Sequence, residues 1–196
     1  MDLVKKFKYI TNLKMKYKLE SIFIFFTFLL FITSICVGLF SYPQEDALIL
    51  YRYVFNFVET GEITFNLNGV RTEGATDFLW MIFLSFFALF NLNPFVTSSI
   101  FSAISFYLIL KLFYSKVYKD SNLVFYIIFV MLFLNTGQII GASMYGFSTI
   151  VFCVLGLLVY VYAYEGKFFK WSILSIVFCL FRPEAVIFFI LSIYFA

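Results

Sequence analysis

The sequence contains no histidine. Proton relays built on imidazole and histidine metal sites are therefore excluded. Charge is also scarce: only 13% of residues are Asp, Glu, Lys or Arg, against roughly a quarter in an average soluble domain. So few polar groups could not cover the surface of a water-soluble fold of 196 residues. The three cysteines, Cys36, Cys153 and Cys179, all lie inside apolar runs. They read as small buried hydrophobes, neither a zinc site nor a disulfide framework. None of the nine glycines opens a Walker loop or a dinucleotide fingerprint. The net charge of +3 is accounted for by lysines that mark membrane topology, and nothing favours a nucleic-acid partner.

What is abundant is apolar surface. The chain is 63% apolar and 24% aromatic, with Phe 31 and Tyr 14, and its mean hydropathy is +0.99. These values point to lipid as the solvent and to an all-α polytopic membrane protein. Lys5, Lys6, Lys8, Lys14, Lys16 and Lys18 make residues 1–20 a basic cytoplasmic tail. Residues 21–42 then form an uncleaved first span, too long for a signal peptide and without a small-x-small cleavage site.

Further apolar runs cover 78–90, 95–114, 123–140, 147–164 and 171–196. If each crossed the membrane, Lys111, Lys116, Lys119, Lys167 and Lys170 would lie outside, against the positive-inside rule. The run Phe78–Phe90 is the shortest, and at about 1.5 Å per residue it reaches roughly 20 Å. Read as a re-entrant or interfacial helix, it leaves all eleven lysines on the cytoplasmic side. The large first extracytoplasmic loop is then residues 43–94, with six acids, Arg52 and Arg71, and no lysine. The remaining runs are spans two, three, four and five. The last carries Arg182-Pro183-Glu184 in its middle, where proline removes a backbone donor and predicts a broken helix or tight hairpin. The sequence stops at Ala196 without a polar cap, so the natural product is expected to continue.

The first loop concentrates the polar side chains. Ser41-Tyr42-Pro43-Gln44 has the S-x-x-Q form of a capping box with proline in the first turn, which predicts a helix start. On that helix Glu45, Arg52, Asn56 and Glu59 form a polar stripe beside Asp46, Ile49, Leu50, Tyr53 and Phe57. A helix of this kind lies at the membrane surface, with Asp46 at its N-terminal end, where the macrodipole favours a carboxylate. Such a carboxylate can act as a general base or bind a divalent cation. The simpler alternative is that Glu45 and Asp46 only solvate a helix start, and that Arg52 pairs with Glu45 or Glu59. Gly61, Gly69 and Gly74 mark turns around a small hairpin through Ile63–Phe65 and Val70–Thr72, with Glu73 at a turn. Arg182 and Glu184 lie within an apolar run, where charges face a cavity or a partner, unless they form a snorkelling pair. Gly137 and Gly141 have GxxxG spacing, a helix-packing signal.

The ordered set Glu45-Asp46-Ala47, Arg52-Tyr53, Asn56, Gly61, Phe65-Asn66, Gly69, Glu73-Gly74, Thr76 and Leu79-Trp80 resembles a known pattern. It is similar to the first-loop signature of polyprenyl-phosphate-sugar-dependent glycosyltransferases of the GT-C superfamily, in the arabinofuranosyltransferase-like and mannosyltransferase-like branch. Arg182-Pro183-Glu184-Ala185 is similar to the family's RPEG. The resemblance implies a GT-C-like transmembrane helix bundle in a bacterial plasma membrane, with its site facing the extracytoplasmic side. It implies transfer of a sugar from a lipid-linked sugar donor to a glycan or lipid acceptor of the cell envelope. Asp46 falls at the family's base, Glu45 at the companion acid, and Arg52 and Arg182 at positions suited to phosphate. Asn56, Glu73 and Glu184 join them as candidate substrate-binding residues. Two features depart from the family: Tyr145 stands where an acid is common in Ser143-Met144-Tyr145-Gly146, and the chain is short. They leave open a non-catalytic truncated homologue or partner subunit, and more remotely a small transporter or flippase.

Overall fold

The computed structural model describes residues 43–67, 74–116 and 145–194, and scattered helical positions between 17 and 36. The expected third span, the GxxxG pair, Gly69 and Glu73 lie outside the described residues, as does most of the first span. Among the described residues the regular structure is entirely helical. Beyond the helical positions between 17 and 36, the described residues form α1 Glu45–Thr60, α2 Phe78–Ala88, α3 Pro94–Lys116, α4 Thr149–Tyr164, α5 Phe168–Phe181 and α6 Ala185–Ile193.

Their limits follow from local chemistry. The start of α1 corrects the capping-box expectation: Gln44, not Ser41, is the N-cap, in an extended conformation and without a side-chain cap bond. Glu45 and Asp46 occupy the first turn, where the unpaired N–H groups favour negative charge. Gly61 ends α1 in the left-handed region at φ 75°, and its N–H bonds the Phe57 carbonyl at 2.9 Å. Asn93 starts α3 by accepting the Phe95 N–H at 2.8 Å, and Pro94 takes the first helical position, where no donor is needed.

The break at Arg182-Pro183-Glu184 is present. Pro183 disfavours helical backbone at the preceding residue, and Arg182 is extended at φ −148°, ψ 142°. The chain then folds back as a hairpin: Trp171 near the start of α5 donates to Ser192 Oγ at 3.1 Å and stacks on Phe189. The strand expected at Ile63–Phe65 is absent, and those residues run irregularly. The Thr64 and Phe65 carbonyls are taken up by α1 side chains, and the expected partner strand Val70–Thr72 lies outside the described residues.

One helix among the described residues is long and apolar enough to cross a membrane, through Pro94–Phe113. Helices α2, α4 and α5 are apolar but shorter. The core sits where α1 and α2 meet α3 and α5, around Leu50, Tyr53, Val54, Trp80, Met81, Leu84 and Phe181. Trp80 is the keystone of this cluster, almost fully buried and in contact with Phe83 and Phe181. A second cluster joins α4, α5 and α6 through Val159, Phe178 and Ala185. The cysteines depart from expectation, with Cys36 and Cys153 exposed and Cys179 half-buried. An apolar run covers the whole circumference of a helix, so its outward positions are as apolar as its packed ones.

Candidate functional site

Two glycines and two tyrosines bring distant segments to α1. Gly146 adopts φ 88°, a conformation that L side chains rarely take. A Cβ there would lie 2.0 Å from Tyr51 Oη. The Tyr51 hydroxyl donates to the Gly146 carbonyl at 3.3 Å and shares a 2.9 Å hydrogen bond with Ser98. Burial pushes this phenol up to about 12, while the Ser98 bond works in the opposite direction. Gly74 makes a similar approach on the other side, where a Cβ would come within 2.6 Å of Tyr53 Oη.

The result is a cavity of about 310 Å³ whose walls include Asp46, Gly74, Asp77, Gly146, Ser148 and Arg182. Asp46 comes from the first turn of α1, Ser148 from the N-cap of α4, and Arg182 from the break between α5 and α6. The Arg182 guanidinium is clasped from three sides. Its Nε lies 2.8 Å from Asp77 Oδ1, its carbon 5.6 Å from the Phe152 ring centroid, and its Nη2 4.0 Å from Glu184 Oε1. Ser148 Oγ donates to the other Asp77 oxygen. Arg182 also stands at the C-terminal end of α5 and Asp77 at the N-terminal end of α2, so each charge is matched to its helix terminus.

The sequence-based candidates therefore divide. Asp46 and Arg182 share the cavity, and Glu184 reaches it only through its long contact with Arg182. Glu45 is exposed beside Asp46. Arg52 and Asn56 are turned elsewhere. Asn56 is buried, donating to the carbonyls of Thr64 at 2.7 Å and Phe65 at 2.9 Å. Arg52 Nε donates to the same Phe65 carbonyl at 3.3 Å. The expected polar stripe of α1 is thus split, with one member packed inside against its own following loop. Tyr145 is exposed, next to the glycine that lines the cavity.

Asp77 and Ser148 were not anticipated as site residues. The only sequence signal at Asp77 is an acid immediately before an apolar helix, and at Ser148 a hydroxyl residue before another; both mark helix starts. The chain from Ser148 through Asp77 to Arg182 is a tertiary fact. Among the described residues no three acidic or thiol side chains gather as a metal-binding group. Asp46 and Asp77 are both on the cavity, but Asp77 is committed to Arg182 and Ser148. No family model, curated protein or solved structure matches the chain.

Proposed function

We propose that this chain is a polytopic membrane glycosyltransferase of GT-C type, passing a sugar from a polyprenyl-phosphate donor to an extracytoplasmic acceptor. The observation that carries the reading is one cavity containing both Asp46 and Arg182, the two residues to which the resemblance assigns base and phosphate-binding roles. In the reaction, the Asp46 carboxylate takes the proton of an acceptor hydroxyl. The acceptor oxygen forms a bond to the anomeric carbon, and the carbon–oxygen bond to the lipid phosphate breaks with its electron pair leaving on phosphate. Arg182 offers the planar donor fork suited to that developing charge. Each proton and electron pair is accounted for without an imidazole.

Lipid surroundings are supported by the outward faces. On α2 and the turn after it, Phe78, Phe86, Leu89 and Phe90 are exposed, and on α5 and α6 so are Ile173, Ile176, Leu180, Ile187 and Leu191. Contiguous apolar surface of this extent is rare on a protein that meets only water. The lysine distribution supports an extracytoplasmic position for the α1–α2 side and its cavity, and the resemblance implies a bacterial plasma membrane.

The test is transfer from a radiolabelled polyprenyl-phosphate sugar by membranes carrying the protein. Asp46→Asn is expected to lower transfer by about a hundred-fold or more, the usual range for a general base, with unchanged membrane insertion. Transfer at the wild-type rate in this variant contradicts the base assignment.

A further inference from the structure

Arg182 is held in an unusual way for a residue that binds a ligand. Its backbone is pushed out of the helix by Pro183, so the side chain leaves the α5 axis. The guanidinium then meets a carboxylate on its Nε edge and an aromatic ring on its face. The Asp77 carboxylate, 13% exposed at the side chain, makes no cap bond to its own helix. It uses one oxygen on Arg182 and the other on the Ser148 hydroxyl. Ser148 likewise makes no cap bond to α4. Two residues at helix-start positions thus forgo their ordinary local bonds: Ser148 is spent on Asp77, and Asp77 on the arginine.

From this we propose that Asp77 is a positioning residue, fixing the Arg182 guanidinium so that its two terminal nitrogens form the edge that takes a phosphate monoester. The inference rests on the function proposed above and names the device behind the phosphate site. Asp77 pairs with the guanidinium at its Nε side by charge, without hydrogen-bond geometry there, and the terminal nitrogens carry the other donors of the fork. Glu184, more than half exposed and 4.0 Å from Nη2, is too distant for a hydrogen bond and yields its place to an entering phosphate. A lysine at position 182 would keep the charge but could not hold Asp77 with one group and a ligand with another.

The test uses the whole chain purified in detergent micelles, with a short-chain prenyl monophosphate and inorganic phosphate as probes. Wild type is expected to bind the prenyl phosphate. Asp77→Asn and Arg182→Lys should each weaken it about ten-fold, the scale of losing one charge-assisted contact, and Asp77→Glu should recover part of the loss. Trp171→Ala, at the far end of the α5–α6 hairpin, lowers the melting temperature without changing probe affinity, which separates positioning from mere stability. A second readout needs no ligand: phenylglyoxal should modify Arg182 several-fold faster in Asp77→Asn than in wild type. Unchanged probe affinity or unchanged labelling in Asp77→Asn overturns the positioning role while leaving the proposed reaction standing. If wild type binds neither probe, the phosphate reading falls and the inference with it. Equal binding of inorganic phosphate would assign the site to free phosphate and overturn the lipid-linked donor.

Discussion

Two polar clusters flank α1, and they differ in how far their members have travelled. Around Asn56 everything is local: Asn56, Arg52 and Thr60 bond carbonyls at Asn56, Thr64 and Phe65, all within a short stretch of chain. Around Arg182 the partner is Asp77, itself bonded by Ser148 from 71 residues away, with Gly146 anchored to α1 by Tyr51 from 95 residues away. The local cluster spends its donors on backbone carbonyls that the irregular loop would otherwise leave unpaired. The long-range cluster leaves Asp46 and Arg182 on a shared cavity. A polar residue near a binding loop in sequence is thus a poor guide to chemistry; what matters is whether capacity remains after the fold has been satisfied.

The comparison can be broken most forcefully at Gly146. A Gly146→Ala change adds a Cβ that collides with Tyr51 Oη at a positive φ, and should cost about 3 kcal/mol from strain and displacement together. A thermal melt in micelles reads the loss, and an unperturbed melting temperature would show that the long-range cluster is loosely joined. Tyr51 adds a pH signature. Its folded phenol titrates at about 12 rather than 10.0, so between those values the unfolded chain releases a proton that the folded chain keeps. Stability therefore falls as pH rises from about 10 to 12, by up to about 2 kcal/mol, and Tyr51→Phe should flatten that decline. An equally steep decline in the phenylalanine variant would place the ionisation elsewhere.

Asn56→Ala strips hydrogen-bond partners from the Thr64 and Phe65 carbonyls and should cost about 2 kcal/mol, seen as a lower melting temperature. If phosphate-probe binding fell more in Asn56→Ala than in Asp77→Asn, the division between structural and site clusters would be reversed. Arg52→Ala removes one exposed bond of 3.3 Å and should change stability by less than about 1 kcal/mol. A larger loss would assign Arg52 a role beyond its loop.

Much of the helical layout was legible from composition and punctuation. Apolar runs located α2 to α6, and Pro183 marked the break, because each acts through its own neighbours. Asp46 and Arg182 were legible as candidates through charge placed beside or within apolar sequence. The Ser41 capping box and the strand at 63–65 failed for one reason: short polar signals fit several local structures, and tertiary demands choose among them. Asn56 looked like part of a solvated stripe, but the carbonyls of the following loop drew it inside. Asp77 carried no sign of its partner, since ion pairing between remote segments leaves no periodicity to read.

The convergence of the first loop on the α5–α6 break is most directly tested by thiol cross-linking. Cys36, Cys153 and Cys179 are replaced by alanine, and cysteine pairs are introduced at 46 and 182, 77 and 182, and 52 and 182. A short bifunctional thiol reagent should join the first two pairs in native membranes and leave the third unlinked. Cross-linking of 52 with 182 but not of 46 with 182 would contradict the shared cavity, and the proposed function would lose the observation that carries it.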